Sequence, residues 1–421
     1  MEKLSILFKE AIVVTQNSKR EVLRADVLVE RNRIAEIGNN LEGDEIIHSQ
    51  AGILVPGLIN THTHVAMTHL RGSLDDILLS KFLERTFALD AERTEKGIYN
   101  SSLLGICEMI DSGVTSFHDL YYSEDIIETA VRNSGIRGFL SWVTLDQELT
   151  TQKGNPIENA RNFITSGSKS DLVSRSVGVQ GIYVAGDETY MKAKDLASRQ
   201  KTTIHTHLSE TREEVYSHLK KTGKRPVEYL NGIGFLGPEV IAAHCSWVTL
   251  NEIRLMARNE VNVSWNPVSN SKLATGGTAP VPEMLSEGVT VSVGTDSSGS
   301  NNSLSVLESM KYGAISINNS RWDATVLGAQ TVLDFATINA ARSLRRNDLG
   351  SIEIGKTADL VLIDCSSPNL YGTTAENAVS NIVYSGNPSN VDTVMVNGNI
   401  LKRKHKLVKT FDSLKKGDEL R

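Results

Sequence analysis

At 421 residues the chain exceeds what one hydrophobic core usually serves, so a large domain with a smaller companion is expected. Its 40% hydrophobic and 22% charged residues are those of an ordinary globular protein, and no apolar run is long enough to span a bilayer. A net charge of −6 gives no general reason to expect nucleic acid as a partner, and three scattered cysteines, Cys107, Cys245 and Cys365, argue against a disulfide framework or a cysteine-based zinc site.

The opening MEKLSILFKEAIVV contains acidic residues and no small-residue cleavage pattern, so no signal peptide is expected and the setting is taken as cytoplasmic. Residues 1–55 show short alternating strands, AIVVTQ and ADVLVERNRIAEIG, separated by Asn-Asn and Glu-Gly turns. From 56 to 345 short apolar runs alternate with amphipathic stretches: GVTSFHDL, EDIIETAVRNSG and IRGFLSWV, then TTIHTHLSE, VIAAHC, VNVSWN and VTVSVGTD. Roughly eight such units give an α/β architecture, a distorted (β/α)8 TIM barrel. Residues 346–400 return to strand texture in GKTADLVLID and SNVDTVMVNGNILKRK, and are expected to pair with 1–55 in a composite β-sandwich domain. From Leu401 to Arg421 runs a basic tail with eight Lys/Arg against three Asp/Glu, expected as a solvated terminal helix; an RNA or anionic-surface contact is its alternative.

Chemistry in a barrel sits at the C-terminal ends of the strands. The first strand ends in His62 and His64, two apart and therefore on one face. The fifth ends at His207 with Glu210 three residues on, the sixth at His244 and the eighth at Asp296. Each alone is a common hydrogen-bonded structural residue; together, behind apolar runs, they predict a metal site. Three neutral imidazoles and a carboxylate suit Zn2+, with Fe2+ or another first-row ion as alternatives. Such an ion activates water for attack on an sp2 carbon. Asp296 can both touch the metal and take the water's proton, His244 can hydrogen-bond the attacking oxygen, and Glu210 can shuttle a proton on the other side of the substrate. His205 shares a face with His207, but a site holding four ligands has no evident need of it. His69 and His118 are pocket-lining or structural, and His48, His218 and His405 sit in polar, surface-like contexts. Without an acid or lysine near the fourth strand, SVGVQGIYVAG, one metal is expected rather than two.

The segments PGLINTHTHVAMTHLRGSLDD, HTHLSET, AAHCSWVT, NPVSNSKLATGGTAPVPEML and GTDSSGSNN resemble the amidohydrolase superfamily, and within it the methylthioadenosine/S-adenosylhomocysteine deaminases, near the chlorohydrolases and guanine deaminases. The resemblance runs nearly end to end. It implies a mononuclear site on His62, His64, His207 and Asp296, with Glu210 and His244 catalytic and Asp90 placed for ribose hydroxyls. Two features depart from that pattern. Gly181-Ile182-Tyr183 stands where a Gly-Pro-His turn is usual, and Ser141-Trp142 where an arginine is usual. Substrate contacts are therefore expected from Asp90, Glu210, Trp142, Ile182 and Tyr183.

The leading expectation is hydrolytic deamination of an adenine nucleoside of the methylthioadenosine, S-adenosylhomocysteine, deoxyadenosine or adenosine type. The alternative keeps the chemistry on another N-heterocycle: guanine, a pterin, a pyrimidine or a triazine, including displacement of chloride. Trp142 and Tyr183 would then stack on a flat ring, although core packing explains Trp142 equally well. A non-catalytic scaffold using the basic tail is the reading of a different class, and retention of every catalytic group argues against it. The expected partner is a small molecule, with no membrane or nucleic acid, in a possible homo-oligomer.

Overall fold

The computed structural model describes residues 5–167 and 170–409. Eight parallel strands pair strictly in chain order: Leu58–Thr63, Val114–Tyr121, Arg137–Thr144, Val173–Val179, Ile204–Leu208, Val240–His244, Asn262–Trp265 and Thr290–Val293. Helices such as Glu95–Asp111, Glu124–Ser134, Pro156–Ser166 and Asp187–Gln200 follow them and cover the outer face. With both faces covered, strands such as Val114–Tyr121 and Val240–His244 are buried at every position, and Val240–His244 is apolar up to its terminal histidine.

The barrel is distorted where it closes. The first and second strands slip register twice. The eighth meets the first through the Thr61 hydroxyl donating to the Val293 carbonyl (3.0 Å) and through the amides of Thr295 and Asp296 donating to the His62 carbonyl (3.1 and 2.9 Å). Closure thus brings Asp296 against the strand that carries His62 and His64. Caps locate the other site residues: the Thr211 hydroxyl accepts from the Glu214 amide, so helix Arg212–Thr222 starts directly after Glu210.

The terminal segments share one nine-stranded mixed sheet. Its strands are Ile6–Val14, Val22–Glu30, Arg33–Gly38, Glu45–His48, Gly52–Pro56, Leu360–Asp364, Val391–Val396, Asn399–Arg403 and Lys406–Leu407. The expected sandwich is therefore one continuous sheet whose distant parts return to a shared core. Ile34 near one edge and Met395 from the other half belong to the same buried cluster, with Phe8, Val27, Leu54 and Leu360. The basic segment differs from expectation as far as Lys409. It forms a strand and turn at the sheet edge rather than a solvated helix, with Lys402 buried and its Nζ 2.8 Å from the Asp111 carboxylate. Residues 410–421 of that tail lie outside the described residues. Among the described residues, no helix is long and apolar enough to cross a membrane.

Candidate active site and metal centre

Strand alternation and closure gather His62, His64, His207, His244 and Asp296 at the C-terminal mouth of the barrel, all buried. Nε2 of His64 lies 3.2 Å from Nε2 of His207. Oδ1 of Asp296 lies 3.4 Å from His64 Nε2 and 3.6 Å from His62 Nε2. Donor atoms of His62, His64 and His207 fall within 4.8 Å of one another, as do those of His62, His244 and Asp296. Zinc–ligand bonds of about 2.0–2.1 Å in a tetrahedron leave ligand atoms roughly 3.3 Å apart, close to these separations.

Ring orientation supports the same fit. Nδ1 of His64 donates to the Leu120 carbonyl and Nδ1 of His207 to the Gln180 carbonyl, each at 2.6 Å. Both imidazoles therefore aim an Nε2 lone pair at the common point. His62 Nε2 is buried there without a hydrogen-bond partner. Burial holds all four imidazoles below the ordinary histidine range, His62 at about 3, so they remain neutral donors. Burial pushes the Asp296 carboxyl upward, but the imidazoles facing it, His62 first among them, outweigh this and hold it well below the usual range. Its oxygens also accept from Ser269 Oγ (2.6 Å), Ser300 Oγ (3.0 Å) and the Ser297 amide (2.7 Å). The donor set thus suits one divalent ion.

His244 is oriented differently. The amide nitrogens of Asn270 and Asn266 donate to its Nδ1 at 2.9 and 3.3 Å, which leaves the ring proton on Nε2. That Nε2 lies 3.8 Å from Glu210 Oε2. Burial, with Asp296 adding to it, raises the Glu210 carboxyl to about 8, so it holds a proton at neutral pH. Ser209, His244 and Asp296 all have left-handed backbones (φ 50°, 73° and 63°), a strained geometry that turns these strand ends into the mouth. Gly294 permits the closure: a Cβ there would fall 2.4 Å from Asn266 Oδ1 and 2.8 Å from the His62 amide nitrogen.

The expected substrate contacts divide. Asp90, at the end of helix Leu79–Ala91, is buried, accepts from the Tyr121 hydroxyl, and is close enough for its charge to act on His64. The turn Gly181–Tyr183 follows the Gln180 carbonyl that orients His207, which places Tyr183, 42% exposed, beside the site; Ile182 packs against the main core. Trp142 is a correction. Ser141 faces the barrel interior, bonded to His118 and Ser176, so its neighbour Trp142 points the other way, its ring tilted against Phe163 of helix Pro156–Ser166 and its Nε1 donating to Gln152. Residue reasoning did not assign Asn266, Ser269, Asn270 or Ser300, although all lie in segments that carried the resemblance. His205 and His118 sit behind His62, deeper in the barrel.

The sequence profile of the amidohydrolase family matches residues 53–401. A 5′-deoxyadenosine deaminase of Methanobrevibacter smithii is 36% identical over 410 residues, 96% of this chain and 94% of its own. That of Methanocaldococcus jannaschii is 39% identical over 407 residues, 94% of each chain. The crystal structure of an adenosine deaminase from Xanthomonas campestris with bound zinc superposes with a TM-score of 0.91 at 27% identity, covering 96% of this chain and 94% of that one.

Proposed function

Because the chain belongs to the amidohydrolase family, we propose that it is a metal-dependent deaminase acting on cyclic amidines, a hydrolase of non-peptide carbon–nitrogen bonds. Its substrate is an adenine nucleoside of the 5′-deoxyadenosine class, from which it releases ammonia and the inosine-type product. Similarity along almost the whole chain to enzymes named 5′-deoxyadenosine deaminase supports the substrate. The observation that carries the chemistry is the geometry of the mouth, with Asp296 Oδ1 3.4 and 3.6 Å from His64 and His62 and Glu210 Oε2 3.8 Å from His244; burial raises the Glu210 carboxyl while the imidazoles lower that of Asp296. Two carboxyl groups with opposite protonation states are what a hydrolytic deamination needs.

In this reading residues 56–345 form the catalytic barrel, and 1–55 with 346–400 the supporting sheet domain. His62, His64, His207 and Asp296 hold a divalent ion, zinc by choice of ligands, which supplies Lewis-acid activation of water when bound. Asp296 takes one proton from the attacking water. Glu210 gives its proton to the ring nitrogen next to the carbon under attack, and His244 Nε2–H hydrogen-bonds the attacking oxygen. Asp296 then passes its proton to the amino group, the C–N bond breaks to release ammonia, and the remaining hydroxyl proton returns to Glu210 as the carbonyl forms. Asp90 holds sugar hydroxyls with the carboxylate oxygen not engaged by Tyr121. The three cysteines, none paired, agree with a reducing cytoplasmic setting.

Ammonia release by the zinc-loaded protein tests this. The screen sets 5′-deoxyadenosine, methylthioadenosine, S-adenosylhomocysteine and adenosine beside guanine, cytosine and pterins, and turnover of free bases alone would overturn the nucleoside assignment. That outcome would favour the second reading, another flat heterocycle stacked on Tyr183, for which the half-exposed ring beside the site is the supporting observation.

A further inference from the structure

We propose that His205 is a positioning residue for the metal centre, holding His62 in the tautomer and ring orientation that aim its Nε2 at the ion. The inference rests on the reading of His62 as a ligand. A histidine ligand usually donates its other ring N–H to a fixed acceptor, which sets the tautomer and increases basicity. His64 and His207 find that acceptor in backbone carbonyls at the ends of the neighbouring second and fourth strands. His62, two residues earlier on the first strand, turns instead to a side chain, its Nδ1 meeting the His205 Nε2 at 2.9 Å. The bond crosses the barrel interior from the first strand to the fifth, so one strand supplies both a ligand, His207, and the support of another.

His205 is itself held in place. Its ring stacks on His118 with centroids 3.9 Å apart and planes 20° from parallel. His118 Nε2 is 2.8 Å from Ser141 Oγ, which lies 2.6 Å from Ser176 Oγ. All four residues are buried. Packing alone does not account for them, because Nδ1 of both His205 and His118 is buried without a hydrogen-bond partner. Such nitrogens are costly, and phenylalanine or leucine would fill the same space without them. A neutral acceptor has a chemical consequence too: it adds no second negative charge beside Asp296, so less of the ion's charge is neutralised than with the more common carboxylate support.

H205F keeps a ring against His118 and removes the acceptor. Zinc affinity of the full-length protein, measured by competition with a chromophoric chelator, is expected to fall about 10- to 100-fold. The metal-free protein should unfold at or above the wild-type temperature, and the visible spectrum of the cobalt-substituted form should change. H205Q, whose amide reaches towards His62, should recover part of the affinity. Folded H205F binding zinc as tightly as wild type would overturn the proposal. H62A, titrated alongside, separates the two readings: undiminished zinc binding by H62A defeats the ligand assignment, whereas loss in H62A with none in H205F defeats the positioning role alone. If H205F does not fold, the wild type decides. Zinc-loaded protein with 15N-labelled histidines should show a coupling across the hydrogen bond between His62 Nδ1 and His205 Nε2, and its absence overturns the proposal.

Discussion

Glu210 and Asp296 are both carboxylic acids in one buried mouth, and their surroundings separate them. Glu210 lies 3.8 Å from the neutral His244 and is raised by burial and by the Asp296 charge, whereas Asp296 is wrapped by imidazoles, hydroxyls and an amide. E210Q removes the transferable proton with little change in shape. It should lower kcat about 10²- to 10⁴-fold while zinc content stays at the wild-type level. The pH dependence follows from the direction of the shift. Glu210 donates only while protonated and loses its proton at about 8, so kcat/KM should fall as pH rises through that value. A wild-type profile flat from pH 7 to 10 would remove Glu210 as the acid, as would E210Q turning over near the wild-type rate.

At the scale of elements, the mouth is fastened by contacts between loops rather than by strands. Lys272, closing helix Pro267–Lys272, reaches Asp75 (2.6 Å), the Gly299 carbonyl (3.2 Å) and the Asn302 side chain. Asn302 in turn donates to Asp75 at 2.9 Å. The loops after the first, seventh and eighth strands are thereby tied together beside the buried cluster at the mouth. Half-exposed ion pairs contribute little to global stability, about 0–1 kcal/mol. K272M should therefore leave the unfolding midpoint nearly unchanged. It should accelerate hydrogen exchange in residues 71–78 and 297–302, and lower kcat/KM several-fold by loosening the mouth. Unchanged exchange in both loops would show that this clasp does not hold them.

At the scale of the whole molecule, barrel and sheet domain are joined by a buried ion pair. Arg137, at the start of the third barrel strand, gives Nε and Nη2 to the two oxygens of Asp359 at 3.0 and 2.9 Å, and the Asn397 amide donates to the same carboxylate at 2.7 Å. Both side chains are almost fully buried. D359A strands the guanidinium and should cost about 3–5 kcal/mol in denaturant unfolding, whereas R137M/D359L should recover much of that loss. An unchanged midpoint for D359A would mean that the pair contributes nothing to the joint.

The sequence by itself determined the donors and the scaffold that could hold them. Period-two spacing placed His62 and His64 on one face, apolar runs marked eight strands, and polar residues at the strand ends marked the mouth, because these are properties of local geometry and of which side of a strand meets water. Only the tertiary structure decided what depends on a neighbour across the barrel. Trp142 turned towards the helices because Ser141 occupies the interior face. His205 gained a partner because the fifth strand lies opposite the first. The His244 ring is oriented because Asn270 reaches its Nδ1, and Lys402 was buried because a distant Asp111 could pair with it. Each of these rests on hydrogen-bond geometry between residues far apart in the chain, which residue type and local periodicity do not encode.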